Sequence, residues 1–325
     1  MSFNLIKGQD KTIEFLKDYI RNNRLASSYL FTGPEGIGKN LVARTFAKAL
    51  NCENNNLDPC NECASCLKMD KLSHPDLHLI GVSSAIEEDQ SEAIKIEDIR
   101  QLQREINLKP YEAKTKIFII DNAHQLTREA ANALLKVLEE PPSRSVIILV
   151  TAKPALLFKT IISRCQILKF SPLPRIELKQ ILKKEYNFDE NQAHFFAFFC
   201  EGRLGLALRL KDTDIFREKN RVIDDFLLGA NSNWDTSLAQ GREIIRKYLN
   251  ILALWFRDIY LIKIGMPQSE IINLDRKNEL LDSAKNYSFM GLDKIFKGIS
   301  DSLLYLEQNV NTKLLLSNFR LALKG

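Results

Sequence analysis

The stretch SYLFTGPEGIGKNLVARTFAKAL, residues 28–50, decides the fold. It opens with the apolar run SYLFTG, which predicts a buried strand that runs into a glycine-rich loop. It closes with NLVARTFAKAL, whose apolar residues recur at helical spacing. Because a strand, a glycine loop and a helix in this order form the first unit of an α/β nucleotide-binding fold, the sequence predicts such a domain here.

The loop GPEGIGKN, residues 33–40, nearly matches the phosphate-binding pattern G-x-x-x-x-G-K-[S/T]. Gly33 and Gly38 would let backbone N–H groups converge on phosphate oxygens, and Lys39 would reach the outer phosphates. Asn40 departs from the pattern, because it stands where a serine or threonine hydroxyl would bind Mg²⁺. We therefore expect the phosphate cradle to be better preserved than the metal position.

A second apolar strand, KIFIID at residues 116–121, ends in an acid, and we expect Asp121 to hold the Mg²⁺ shell. Asn122 follows, where ATPases of this type usually carry a glutamate that orients the attacking water. Because an amide cannot act as a base, we expect hydrolysis to be weak or absent. Thr151, at the end of the strand SVIILVT, completes the candidate nucleotide site, and His124 is interpreted as a loop cap.

The chain divides into a part with strands and a part without them. Strands alternate with helical patterns as far as SVIILVT, which predicts a mostly parallel sheet covered on both faces. Pro172 and Pro174 bracket a predicted hinge, and only helical patterns follow. We therefore predict an α/β domain over residues 1–171, a small helical domain over 172–211 and a helical bundle over 212–325.

Four cysteines have the spacing C-x7-C-x2-C-x2-C, namely Cys52, Cys60, Cys63 and Cys66. A C-x2-C pair lets two thiolates grip one ion, and four thiolates complete a tetrahedral zinc site. Such a site has no open position, so the zinc would be structural, and the module at about 52–66 would fold only with its metal. Cys165 and Cys200 are predicted to be small buried residues.

Composition excludes several classes of function. Contents of 45% hydrophobic and 27% charged residues describe a globular protein, and no apolar run approaches the roughly 20 residues of a membrane span. The first residues lack the pattern of a signal peptide, so we expect a cytoplasmic protein without membrane contact, whose six cysteines are thiols. A net charge of +5 permits contact with nucleic acid but does not predict it.

Three further motifs carry a family resemblance. They are ANALLKVLEEPP at residues 131–142, TIISRC at residues 160–165 and NVNTKLLLSNFRLAL at residues 309–323. Together with the phosphate loop and the cysteine insert, they resemble the AAA+ clamp-loader subunits of bacterial DNA polymerase III. The resemblance implies an AAA+ parallel-sheet domain with a zinc insert, a helical lid domain and a C-terminal helical collar that mediates oligomerisation.

Two subunit types of that family share these motifs, the gamma/tau motor and the delta-prime stator. Three positions favour the stator. Asn40 replaces the metal-binding hydroxyl, Asn122 replaces the catalytic glutamate, and Gly205 falls where motor subunits carry a sensor arginine. The resemblance thus implies a stator-like subunit with little ATPase of its own, and leaves open whether ATP and Mg²⁺ still bind there. The gamma/tau-like motor is the alternative.

The resemblance also implies a role for Arg164 of the SRC motif. In the family this arginine projects into the ATP site of the neighbouring subunit, where it acts as an arginine finger. A guanidinium there stabilises charge on the transferring phosphoryl group, and its planar fork can bridge two phosphate oxygens. The alternative for Arg164 is a surface ion pair at the end of a strand.

The same resemblance implies the partners of the chain. They are the gamma/tau and delta subunits of a hetero-oligomeric ring, which handles the sliding clamp and primed DNA as a whole during replication. A further alternative is a zinc-stabilised nucleic-acid-binding protein outside replication. That class needs a concentrated basic and aromatic surface, which the sequence does not display.

Overall fold

The computed structural model of the chain describes residues 1–54, 57–81, 93–227, 241–308 and 310. The chain divides into two compact units, Met1–Pro174 with Gly202–Leu206 and Arg175–Glu201 with Ala207–Gly325. Among the described residues, all strands belong to the first unit and the second is helical. This confirms an α/β fold followed by a helical region, while the predicted boundaries near residues 171 and 211 stay predictions.

The first unit is built on a five-stranded sheet in the order β2-β3-β4-β1-β5, and every pairing in it is parallel. Helices connect the strands, as parallel pairing requires. The strands are β1 (Ser28–Thr32), β2 (Leu77–Ile80), β3 (Lys116–Ile120), β4 (Ser145–Thr151) and β5 (Gln166–Lys169).

The three central strands are buried along their whole length, in agreement with the apolar runs that predict them. The edge strands β2 and β5 are not predicted by the sequence patterns. Each has only four residues, and only one residue of β5 is buried. Edge strands need fewer apolar residues because only one neighbour covers them, and so their pattern is weak.

The helices of the first unit follow or precede the strands in sequence. They are α1 (Asp10–Arg21), α2 (Lys39–Leu50), α3 (Ala64–Asp70), α4 (Ile96–Ile106), α5 (Arg128–Glu139) and α6 (Lys159–Ile162). Helix α5 has clear boundaries, because the Thr127 hydroxyl accepts the N–H of Ala130 at 3.2 Å at its start and two prolines follow its end. Its last residue, Glu139, therefore has a fixed position.

The helices after the sheet are α7 (Arg175–Tyr186), α8 (Glu190–Phe199), α9 (Leu204–Lys211), α10 (Ile215–Leu227), α11 (Arg242–Lys263), α12 (Lys277–Asn286) and α13 (Phe289–Glu307). None of the helices in the described ranges is both long and apolar enough to cross a membrane. The motif at residues 309–323 lies outside the described residues except for Val310.

Helix α11 organises the second unit through an apolar side and a buried acid. Trp255 is fully buried in the core of this unit. Asp258, also fully buried, accepts the backbone N–H of Asn273 at 2.8 Å, and burial raises the pKa of this carboxyl. The Nε2–H of His194 donates to the carbonyl of Ile271 at 2.6 Å. Side chains of two helices, α8 and α11, thus bind the backbone of the loop before α12.

Another buried carboxylate ties the first unit together. Asp76, just before β2, is 1% exposed and accepts three backbone N–H groups, from Tyr111 at 2.8 Å, Glu112 at 2.9 Å and Ala113 at 2.8 Å. Burial by itself raises the pKa of this carboxyl, but the N–H donors and Lys116 bring it below its ordinary value. The edge strand β2 is therefore linked to the segment that leads into β3.

We expect Asp76→Asn to lower the free energy of unfolding of the chain by about 2–3 kcal/mol, because an amide NH₂ would face backbone donors in a buried position. Since the folded-state pKa is depressed, the stabilisation by Asp76 is present above its unfolded pKa of about 4 and is lost as the pH falls through the folded value. Denaturant unfolding of both proteins across pH 3–7 measures this difference.

The matched control is Asp18→Asn, which removes an exposed ion pair with Arg21 and should change the free energy by no more than about 0.5 kcal/mol. An equal effect of the two substitutions would contradict the structural role of Asp76.

Candidate functional site

The candidate nucleotide residues meet at one edge of the sheet. Thr32 of β1 pairs with Thr151 of β4, and Ile120 of β3 pairs with Leu149 of β4. Because all strands are parallel, their carboxyl ends share this edge. The phosphate loop after β1, Asp121 after β3 and Thr151 at the end of β4 are therefore neighbours, as the sequence predicts.

The phosphate loop needs its glycines for steric reasons. A Cβ on Gly33 would lie 2.5 Å from the carbonyl oxygen of Phe170, and Gly33 has a φ of +147°. Gly38, which precedes the first residue of α2, has a φ of +94°. Residues with a side chain rarely adopt these values, so the loop conformation depends on glycine. The N-terminus of α2 consequently points into the loop, as in a phosphate site.

Lys39 is turned onto the loop itself. Its side-chain amine donates to the carbonyl of Gly33 at 2.7 Å and to that of Pro34 at 2.6 Å, and the residue is 7% exposed. Burial lowers the pKa of this amine to about 8, although Asp121 and Glu35 raise it. The cation that would contact phosphate thus uses two of its three N–H donors within the loop.

Asn40 and Asp121 are joined directly. The Asn40 Nδ2–H donates to Asp121 Oδ2 at 2.8 Å, and the second carboxylate oxygen accepts the backbone N–H of Asn122 at 2.9 Å. A serine or threonine at position 40 would offer a hydroxyl oxygen to a metal ion, whereas this amide offers a donor to the carboxylate. The Asn40 side chain therefore donates to the carboxylate that was expected to hold the Mg²⁺ shell, at the position where the sequence puts the metal in doubt.

The phosphate loop also contacts the segment Gly202–Leu206. The N–H of Gly205 donates to the carbonyl of Gly36 at 2.7 Å, and a Cβ on Gly205 would lie 2.7 Å from that oxygen. Gly36, with a φ of +77°, lies against Leu206, whose backbone nitrogen would be 2.9 Å from an added Cβ. This approach requires glycine at both positions. It places Gly205, which the sequence singles out, directly on the loop.

The remaining candidates lie on the turn after β3 and at the end of β4. Asn122 has a φ of +48°, a left-handed conformation that asparagine tolerates better than most residues. His124 Nδ1 lies 3.1 Å from the Thr151 hydroxyl oxygen, which also accepts the N–H of Lys153 at 3.0 Å. Burial and Lys153 lower the pKa of His124. His124 thus connects the turn after β3 with the end of β4, and the side chain that caps α5 is that of Thr127.

Arg164 lies at the opposite ends of the strands, just before the amino end of β5. Gln166 of β5 pairs with Tyr29, and Lys169 pairs with Thr32, so this pairing extends over three residue steps, or roughly 10 Å. Arg164 precedes the pairing, whereas the phosphate loop follows it. The guanidinium forms an ion pair with Glu139 at 2.8 Å and donates to the carbonyl of Thr160 at 3.0 Å. It is 35% exposed.

The four cysteines of the insert come together as their spacing predicts. All four sulfur atoms lie within 4.8 Å of one another. Tetrahedral zinc with Zn–S distances of about 2.3 Å has sulfur atoms about 3.8 Å apart, and Cys60 Sγ and Cys66 Sγ are 3.9 Å apart. The donor set and its dimensions therefore fit zinc. Cys200 is buried, as predicted, and Cys165 is partly buried against the core.

Backbone donors surround the sulfur atoms. The N–H of Cys63 donates to Cys60 Sγ at 3.3 Å, and the N–H of Cys66 donates to Cys63 Sγ at 3.4 Å. Hydrogen bonds from Glu62 and Cys63 lower the pKa of the Cys60 thiol to about 6, while burial raises that of Cys66. Donors of this kind stabilise thiolates and orient them as metal ligands.

The cysteine module is anchored to α2 by a buried lysine. Lys48 of α2 is 1% exposed, donates to Asn61 Oδ1 at 2.6 Å and forms an ion pair with Asp70. Asp58 accepts the N–H of Phe3 at 2.8 Å. The module is thus connected to the helix that begins at the phosphate loop.

The sequence does not identify the partners in two contacts of this site, although an ion pair of Arg164 was the alternative to its arginine-finger role, and the structure contains one. The pair of Glu139 with Arg164 joins residues 25 positions apart, and the bond between Gly36 and Gly205 joins residues 169 apart. No local pattern encodes such pairs. The only sequence signals are the glutamates before Pro141 and Pro142 and the glycines of EGRLGLAL.

Two protein-family models match the chain. One, described as "DNA polymerase III, delta subunit", matches residues 8–174. The other, described as "DNA polymerase III, delta subunit, C terminal", matches residues 231–324. The first match covers half of the chain and contains the phosphate loop, the four cysteines and Arg164.

Individual proteins are similar over different parts of the chain. The tau subunit of DNA polymerase III from Bacillus subtilis is 31% identical over 93% of this chain and 50% of its own length. The delta' subunit from the same organism is 39% identical over 51% of this chain and 48% of its own length. The Escherichia coli tau subunit is 35% identical over 66% of this chain and 33% of its own length.

The chain spans about half or less of the length of these curated relatives. Among solved structures, a DNA polymerase III gamma subunit-related protein from Thermotoga maritima matches with a TM-score of 0.46 and 19% identity, over 96% of this chain and 99% of that chain.

Proposed function

Because the chain belongs to the DNA polymerase III clamp-loader family, we propose that it is a delta-prime-like stator subunit that supplies an arginine finger to a neighbouring ATPase subunit. The observation that carries this proposal is the position of Arg164. It lies before the amino end of β5, whereas the chain's own phosphate loop follows the carboxyl end of the neighbouring strand β1. A guanidinium at that end is available to another chain's nucleotide and not to its own.

The domain organisation proposed for this function is that of an AAA+ subunit. Residues 1–171 would form the AAA+ domain, 172–211 the lid and 212–325 the collar through which the ring assembles. The parallel order β2-β3-β4-β1-β5 with a phosphate loop after β1 supports the first of these assignments.

The chain's own nucleotide site is proposed to be closed. Lys39 donates to loop carbonyls, Asn40 donates to Asp121, and Gly205 donates to Gly36. A nucleotide with Mg²⁺ would have to draw Lys39 away from the loop carbonyls and Asn40 away from Asp121. The asparagine at position 122 would in addition leave the attacking water without a base. These features favour the stator over the motor.

We expect the isolated, zinc-loaded chain to bind ATP weakly or not at all in calorimetric titrations, and to do so equally with and without Mg²⁺. The reason is that the amide of Asn40 occupies the Asp121 carboxylate oxygen that would hold the ion. Asn40→Thr with Asn122→Glu restores both family residues and serves as the matched comparison.

Tight, Mg²⁺-dependent binding by the unaltered chain would contradict this expectation. It would favour the alternative function, a gamma/tau-like motor, which the similarity to tau subunits also leaves open.

Arg164 is proposed to complete the ATP site of a gamma/tau-type neighbour. In the assembled clamp loader, we expect Arg164→Ala to reduce hydrolysis at that one site by roughly 10³–10⁵-fold, the range known for other arginine fingers. The clamp- and DNA-stimulated ATPase rate of the complex should then fall by the fraction that this one site contributes to the total rate. Arg164→Lys should not restore it, because lysine lacks the planar fork.

The control is Arg100→Ala, which removes an exposed arginine of α4. Size-exclusion chromatography establishes that each variant still joins the complex. An unchanged ATPase with Arg164→Ala in a complete complex would refute the arginine-finger role.

Zinc is the metal we propose for the four cysteines. The sulfur geometry and the backbone donors support a structural site, in which zinc would hold residues 52–66 against α2 and supply no chemistry. The module would in turn support the helix that follows the phosphate loop, through Lys48.

We expect elemental analysis of the purified protein to find about one zinc ion per chain, as four thiolates bind a single ion. Cys63→Ser should lower the zinc content and the melting temperature together, because the remaining ligands no longer close the tetrahedron. Cys165→Ser and Cys200→Ser, which alter cysteines outside the cluster, should retain full zinc content. Equal loss of zinc in all three variants would exclude the site.

The proposed partners follow from the same family membership. They are gamma/tau and delta subunits in a hetero-oligomeric ring that loads the sliding clamp onto primed DNA. Co-purification with these subunits tests the assembly. A zinc-stabilised nucleic-acid-binding protein outside replication would bind DNA alone and would not join them.

A further inference from the structure

The guanidinium of Arg164 is held in place by two acceptors of its own chain. Its Nη2 lies 2.8 Å from a carboxylate oxygen of Glu139, and its Nη1 donates to the carbonyl of Thr160 at 3.0 Å. These acceptors belong to different helices, α5 and α6. The two contacts involve different terminal nitrogens of the guanidinium and favour one orientation of the side chain.

The backbone beneath this side chain is also fixed. The N–H of Arg164 donates to the carbonyl of Ile161 at 3.1 Å, and Ile161 is fully buried. Cys165 packs against the same core, where burial raises the pKa of its thiol to about 12. Arg164 therefore projects from a rigid base, and the remaining freedom lies in its own side chain.

Glu139 stands at an unfavourable place for a carboxylate. It is the last residue of α5, where the negative end of the helix dipole repels an acid. Pairing with a cation offsets this repulsion. Glu140, the next residue, is also exposed, yet the ion pair with Arg164 is made by Glu139. A residue that breaks a local rule in this way is a candidate for a functional role.

We propose that Glu139 is a positioning residue for Arg164, which it holds oriented toward the site of a neighbouring subunit. A guanidinium has five N–H donors; one on Nη1 bonds the carbonyl of Thr160, and Nη2 forms the ion pair with Glu139. The other donors remain available to phosphate oxygens. Glu139 thereby reduces the rotamer freedom that the arginine would lose on meeting the nucleotide. This inference rests on the proposed arginine-finger function.

The test uses the assembled clamp loader with Glu139→Ala, Glu139→Gln and Glu140→Ala, each in the presence of Arg164 and of Arg164→Ala. We expect Glu139→Ala to lower the kcat of the stimulated ATPase at the completed site by about three- to tenfold, as for coupled neighbours. KM should stay unchanged. Glu139→Gln, which retains an acceptor, should recover most of the rate, and Glu140→Ala should match the unaltered complex.

The double variants separate positioning from a general structural effect. If Glu139 acts through Arg164, then Glu139→Ala has no further effect once Arg164 is alanine. A further drop in that background would overturn the proposal, as would a faster rate with Glu139→Ala or an equal fall with Glu139→Gln. If Arg164→Ala leaves the stimulated ATPase rate unchanged, the arginine-finger function is refuted, and this proposal is refuted with it.

A second measurement needs no partner. In the isolated chain labelled at arginine, the side-chain resonance of Arg164, assigned with Arg164→Lys, should report a more mobile guanidinium in Glu139→Ala and an unchanged one in Glu140→Ala. Equal mobility in the two variants would overturn the positioning role even if the arginine finger is established.

Discussion

Parallel pairing of five strands is the constraint on which the rest of the structure depends. It brings the carboxyl ends of β1, β3 and β4 to one edge and the amino end of β5 to the other. Phosphate-binding groups and Arg164 are therefore separated by the length of the sheet. The proposed sharing of a nucleotide between neighbouring subunits rests on this separation.

At the carboxyl ends of the strands, the loop at residues 33–40 has the backbone conformation of a phosphate loop. Its polar side chains, Lys39 and Asn40, are hydrogen-bonded within the chain. A hydroxyl at position 40 could offer an oxygen to a metal ion, whereas the amide of Asn40 is turned so that its N–H donates to Asp121. Gly205 then allows the segment Gly202–Leu206 to approach the loop more closely than any side chain would permit. Asn40 and Gly205 thus each add an intrachain hydrogen bond to this region.

Before the amino end of β5, the guanidinium of Arg164 remains partly exposed. Ile161 and Cys165 hold the SRC motif in the core, and Glu139 forms an ion pair with the partly exposed guanidinium. Exposed ion pairs contribute little to stability, about 0–1 kcal/mol, so the pair is readily remodelled by a stronger anion such as phosphate. Lys39 and Asn40 are therefore hydrogen-bonded within the chain, whereas the Arg164 side chain remains 35% exposed.

The sequence by itself determined the central strands, the phosphate loop and the four-cysteine cluster, because each has a strong local signal in its apolar run or its spacing. Only the tertiary structure decided the edge strands, the bond between Gly36 and Gly205 and the pair of Glu139 with Arg164. These features join residues distant in the chain. Side-chain type alone does not reveal such contacts, because the packing of the sheet and its helices selects the partners.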